Sequence, residues 1–161
     1  MNKITPLFKG IITGLVMVII SLALYYSKLP VESKLHYAIY IFYAIGIIWT
    51  LISYSRSAPF TGKFADLFGQ GFRCFIVVTL IMVAFTAIFS IQHPEFAEEV
   101  ANYYKEDLIK EGNKTPSEIE KLVADAKKQY TTGLVSLAIF GYLITGTIIT
   151  AAGSALLMRR K

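Results

Sequence analysis

Four long stretches without Asp, Glu, Lys or Arg constrain this chain more than any other feature: residues 10–27, 35–55, 74–92 and 129–158. Each is about as long as the roughly 18–20 apolar residues needed to cross a bilayer core. In that layer no water pairs with backbone N–H and C=O groups, so each stretch is expected to be an α-helix that satisfies them internally. The fourth is longer than a crossing needs and is expected to tilt or to project from the bilayer. The first is extended by Leu7 and Phe8 past Lys9, whose aliphatic stem is expected to let the ammonium reach water. The predicted spans are 7–27, 35–55, 68–92 and 129–158, in one membrane domain covering 1–161. Composition agrees. The chain is 55% hydrophobic and 17% charged, against about 45–50% and 25% in soluble domains. That weighs against both a disordered chain and a soluble enzyme. A basic start followed by an apolar run also fits a signal peptide, but no Ala-x-Ala-like cleavage site follows, so an uncleaved first span is expected.

Four spans put both termini on one side. That side holds Lys3, Lys9, Arg56, Lys63, Arg73, Arg159, Arg160 and Lys161, with Asp66 as its single acid, whereas the other holds eight lysines and ten acids. The Lys/Arg counts tie, and acids count little toward orientation. The Arg159–Arg160–Lys161 run abutting the last span breaks the tie and places both termini in the cytoplasm. Tyr25, Tyr26, Tyr37, Tyr54 and Tyr130 sit at the predicted interfaces, where a ring with a polar tip is favoured. Tyr40 and Tyr43 lie deeper. They either line a cleft or, as is commoner, pack between helices with their hydroxyls satisfied.

Residues 93–128 are too long for a plain connection and carry helix signals of their own. Pro94 suits a first helical turn, with Glu95, Glu98 and Glu99 near the positive end of the helix dipole. Gly112-Asn113 is a plausible stop. Thr115-Pro116-Ser117-Glu118 reads as a capping box that starts a second helix continuing into the fourth span. The expectation is an acidic, amphipathic hairpin on the extracytoplasmic side, either docking a partner or capping the bundle. His93 with Glu95 and Glu98 is too sparse a set to claim a metal. Asn113-Lys114-Thr115 fits a glycosylation acceptor, a short pattern given no weight.

The stretch 58–75 is the most informative. Phe60, Phe64, Phe68 and Phe72 repeat every four residues, which stacks them along one helix face. Lys63, Asp66, Gln70 and Arg73 share a second face, on a helix expected to start near Gly62. One reading is a polar pocket at the cytoplasmic mouth in which Arg73 engages an anionic head group and Asp66 or Gln70 orients it. The other is an interfacial anchor with Asp66 and Arg73 paired. Gly69 and Gly71 would admit another backbone.

Motifs that carry chemistry are missing. No acid lies inside any apolar run, which weighs against a proton-coupled transporter, a cation channel or an intramembrane metallohydrolase. There is no nucleophile elbow, phosphate loop or HExxH. The one cysteine, Cys74, reads as a packed apolar side chain. Small residues are plentiful instead. Gly10 and Gly14 form a GxxxG, and Gly146, Thr150 and Ser154 recur every four residues. Such stripes serve packing within the four helices or association with another subunit.

Together, the Gly10/Gly14 first helix, the Tyr54-Ser55-Arg56 end of the second, Gly62 through the Phe68–Phe72 segment, the acidic hairpin and the long glycine-containing last helix resemble a bacterial family of small integral membrane proteins, domain of unknown function 4199. The resemblance covers nearly the whole chain. It implies a multi-pass protein of the bacterial inner (cytoplasmic) membrane, and it brings no established activity and no catalytic residues. Members of such families are often accessory to cell-envelope or lipid-linked glycan enzymes, an association that does not establish function.

The fold expected is therefore all-α: an integral membrane four-helix bundle with an extracytoplasmic helical hairpin between spans 3 and 4. The function expected is a non-enzymatic accessory or interaction subunit of a cell-envelope assembly. The alternative is a lipid- or small-molecule-binding protein or carrier using Lys63, Asp66, Gln70 and Arg73. No cofactor, metal or nucleic acid is expected. Membrane lipids, and another membrane subunit or a second copy, are the expected partners.

Overall fold

The computed structural model describes residues 4–27 and 37–159, and for Arg159 the backbone alone. Lys3, Arg160 and Lys161, which entered the charge count above, fall outside them. Five helices follow one another: α1 (Pro6–Tyr26), α2 (Ala38–Ser55), α3 (Phe64–Gln92), α4 (Pro94–Glu111) and α5 (Pro116–Arg159). Four of them, α1, α2, α3 and α5, are long and apolar enough to cross a membrane, consistent with a multi-pass membrane protein. As expected, α5 runs unbroken from the Thr115 cap into the fourth apolar stretch. The chain divides into two compact units, Met1–Met82 with Ile139–Lys161, and Val83–Ala138.

In the first unit, four helices meet at small residues. A Cβ built on Gly10 would lie 2.6 Å from the Cys74 carbonyl oxygen and 2.9 Å from Val77 Cβ, so α1 and α3 touch backbone to side chain there. Gly14 faces Ile81 one turn on, Gly46 of α2 takes Thr13, and Gly146 of α5 takes the Phe75 ring and the Tyr43 hydroxyl. Tyr43 is fully buried. It donates its hydroxyl hydrogen to the Tyr142 carbonyl at 2.9 Å, and its ring meets Tyr142 edge-on at 5.7 Å. It is a packing residue, whereas Tyr40 is half exposed and stacks on Tyr142. Cys74 is buried with its thiol 3.9 Å from the Gly46 carbonyl, which matches a packed side chain.

The second unit is built around aromatic contacts. Phe89 lies 5.4 Å from Phe85, 6.1 Å from Phe96 and 4.4 Å from His93, measured between ring centroids. Ala101 and Leu108 of α4 and Ile119 of α5 are buried, and Lys127 reaches Glu98 at 2.6 Å. Helix α4 opens on Pro94 and stops at Gly112, whose φ of 66° places it in the left-handed region that favours glycine. The capping box is formed in both directions. Thr115 N–H donates to Glu118 Oε2 at 2.8 Å, and Glu118 N–H donates to Thr115 Oγ1 at 3.4 Å.

Substitutions at two glycines should behave oppositely. Gly10→Ala forces α1 away from a backbone oxygen, a clash expected to cost about 1–3 kcal/mol. Gly69 has open space around its Cβ position, so Gly69→Ala should be neutral or stabilise α3 by up to about 1 kcal/mol. Thermal unfolding of the purified protein in detergent separates the two.

At the start of α4 the Glu95 carboxyl is held below the usual carboxylate range, first by its own backbone N–H and then by the His93 ring at 2.6 Å. A depressed carboxylate stabilises the fold above its unfolded value of about 4.3, and that contribution is lost as pH falls through the folded value. Amide protection at residues 95–97, corrected for the intrinsic exchange rate, should therefore fall on acidification below that value. Glu95→Gln should flatten the dependence.

Candidate functional site

The ends of three helices enclose a cavity of about 470 Å³. One wall is the start of α1, where the Thr5 hydroxyl accepts the Phe8 N–H at 3.3 Å and Pro6 takes the first helical position. The second is the last two turns of α2, from Trp49 to Tyr54, with Arg56, Ser57 and Pro59 in the turn that follows. The third is Gln70, in the second turn of α3. The size falls within the about 300–1,000 Å³ of small-molecule sites, and the lining mixes apolar surface with a few polar groups, as such sites do.

Lys9 defines the chemistry. Its side chain was expected to snorkel, but it is only 6% exposed. The ammonium lies 5.0 Å from the centroid of the Trp49 ring, inside the about 6 Å over which a cation is attracted to an aromatic face. The correction has a simple cause. Gly10, the next residue, draws this turn of α1 tight against α3, so the neighbouring lysine turns inward against α2. Among the described residues no carboxylate forms an ion pair with Lys9, and no carboxylate lines the cavity. A cation with so little of its side chain in water gains from an anionic partner.

Other polar groups in the wall differ in how they are occupied. Thr50 donates to the Gly46 carbonyl at 3.0 Å, and Ser57 donates to the Tyr54 carbonyl at 2.7 Å. Ser53 and Gln70 form no side-chain hydrogen bond among the described residues, and Arg56 forms no ion pair there. Polar groups and two cations therefore line this space with no carboxylate among them.

The four residues singled out in the 58–75 stretch are placed differently from one another. Gln70 lines the cavity, whereas Lys63, Asp66 and Arg73 do not. Lys63 precedes α3, which begins at Phe64 after Gly62 with φ 82°. Asp66 accepts a hydrogen bond from the Thr61 hydroxyl, three residues before the helix starts. Arg73 is exposed and makes no ion pair with Asp66. The phenylalanine face is real from Phe64 through Phe68 to Phe72, at 5.8 and 6.5 Å between rings. Phe60 lies outside the helix and meets Tyr54 edge-on instead. Gly71 receives the side chains of Thr150 and Leu51, and Gly69 faces open space, so neither admits a backbone. Thr150 and Ser154 are fully buried, and neither hydroxyl has a hydrogen-bond partner among the described residues. Among the described residues no three His, Cys, Asp or Glu side chains gather as a metal site.

Sequence reasoning missed Lys9, Trp49, Ser53 and Arg56 as a group because they lie far apart along the chain. The available signal was a lysine one residue before a GxxxG glycine, which marks a helix face due to be covered.

Ser53 and Gln70 are half-buried and form no side-chain hydrogen bond among the described residues. Ser53→Ala and Gln70→Ala should each leave stability within about 0.5 kcal/mol of the parent. Thermal unfolding in detergent checks this and frees both variants for binding work.

No curated protein and no solved structure matches the chain. The profile of one family, described as protein of unknown function (DUF4199), matches residues 9–160, and the chain belongs to that family.

Proposed function

We propose that this protein spans the membrane four times and binds, without turning it over, an anionic small molecule or lipid head group in the cavity between the start of α1 and the end of α2. The observation that carries this reading is Lys9, which is 6% exposed and whose ammonium has an aromatic ring beside it and, among the described residues, no carboxylate partner. Arg56 at the rim adds a second cation, and among the described residues no acid lines the cavity. An anion would offset the cost of burying Lys9, and the low-dielectric surroundings would strengthen the contact. On this reading the site lies toward the cytoplasm, because the basic run at the C-terminus favours that orientation. A bacterial inner membrane is the location that the family resemblance suggests.

A second reading, an accessory subunit of a cell-envelope assembly, draws on α5. Only 11% of its most apolar window is buried, against 28–33% in the other three spans. Its outer face presents Leu137, Phe140, Ile144 and Ile148, a surface that either lipid or a partner helix would cover.

Native mass spectrometry of the protein released from its own membranes tests the first reading. The wild type should retain one anionic species per chain, and Lys9→Gln should lose it by about tenfold or more, the scale of one charge-assisted contact. Equal retention by the two would overturn it. Stoichiometric retention of another protein would move the accessory reading to the front.

A further inference from the structure

Lys9, Ser53, Arg56 and Gln70 reach the cavity from α1, from α2 and its following turn, and from α3. A carboxylate is planar and is met best by one fork of donors lying in its own plane. A phosphate spreads its oxygens over a tetrahedron, so donors arriving from separate helices can each take a different one. The donor types agree: a guanidinium that forks onto two oxygens, an ammonium that acts as a point charge, and neutral N–H and O–H groups that add direction. The wall also holds Ile4, Pro6 and the Trp49 ring, apolar surface that inorganic phosphate does not use and an ester body does.

We propose that the cavity takes an organic phosphate whose phosphoryl oxygens are bound by Lys9, Arg56 and Gln70. The assignment rests on the anion-binding reading above and narrows it. Lys9 is the moving part. Over Trp49 it has a partner worth only a fraction of a full counter-charge, so a phosphate draws the ammonium off the ring. Trp49 is the chain's single tryptophan, so its emission reports that movement directly. The ester's source is either a lipid head group or a soluble metabolite, and the two are distinguished by delivery.

The full-length protein in phosphatidylcholine nanodiscs is followed by Trp49 emission. Phosphatidic acid is supplied in the bilayer, with oleate at equal mole fraction as the carboxylate control. Glycerol 3-phosphate and inorganic phosphate are titrated from solution. A saturable emission change is expected with phosphatidic acid, with glycerol 3-phosphate or with both, at roughly a tenth of the level needed by the control delivered the same way, oleate in the bilayer or inorganic phosphate in solution. The responding arm names the source. Arg56→Gln, a change at an exposed position that leaves the fold intact, should weaken the response about tenfold, and Arg56→Lys should restore part of it. Lys9→Met should abolish it. Because Arg56 lies at the rim, its variants keep the test open if Lys9→Met does not fold. An oleate response equal to that of phosphatidic acid overturns the phosphate assignment and leaves anion binding standing. Inorganic phosphate as strong as glycerol 3-phosphate, with no response to phosphatidic acid, overturns the role of the apolar wall. Silence from every anion overturns both this assignment and the reading beneath it.

Discussion

Close approach at glycine is the constraint from which the rest of the helical packing follows. On α1 and α2 apolar residues lie on every side: Met17, Ile47 and Leu51 are buried, while Leu15, Ile19, Ile45 and Ile48 are exposed. Hydrophobicity therefore cannot choose which face turns inward. Shape can. Gly10 and Gly14 open a groove on α1 for α3, Gly46 opens one on α2 for Thr13, and Gly146 lets α5 settle on Phe75 and Tyr43. Each gap admits atoms that any Cβ would exclude, and dispersion across the shortened distance holds the helices together. Polar groups follow the same seams, with Thr50 and Thr79 bonding back to carbonyls of their own helices and Tyr43 crossing to α5.

The same constraint builds the cavity. Where α1 is drawn against α3 at Gly10, Lys9 on the adjacent face turns toward α2. It takes the Trp49 ring. The start of α1 and the end of α2 then leave a space that no large side chain fills, bordered by cations and by polar groups not needed for the fold. A mostly covered lysine set against an aromatic face, with no carboxylate partner among the described residues, is a costly feature for a protein to retain. Structural packing alone gives no reason for it, which is why binding is the more economical account of this end of the bundle.

The part of the fold that could be read from the chain is the part set by local rules. Uninterrupted apolar length gave the four long helices. Pro94, Gly112 and the Thr115–Glu118 box marked the three helix boundaries in the intervening segment, because caps depend on only three or four consecutive residues. The start of α3 was placed slightly early, since Gly62 in fact takes the left-handed turn before the helix. That shift removes Lys63 and Phe60 from faces they were expected to share with Asp66 and Phe64. The candidate site was legible only at Gln70. Spacing along one helix brought Lys63, Asp66 and Arg73 together with it, but a helix face says nothing about which other helix will cover it.

The sequence by itself determined the number, length and caps of the helices, and it marked the small residues at which they would touch, because each of these is written within a few residues of chain. Only the tertiary structure decided that Lys9 turns inward, that Trp49 is its partner, and that Ser53, Arg56 and Gln70 share a cavity with them. Those residues belong to different helices, and helices that are apolar on all sides can rotate about their axes without changing any local pattern. Their rotation is fixed by steric fit between surfaces far apart in the chain, and periodicity carries no record of it.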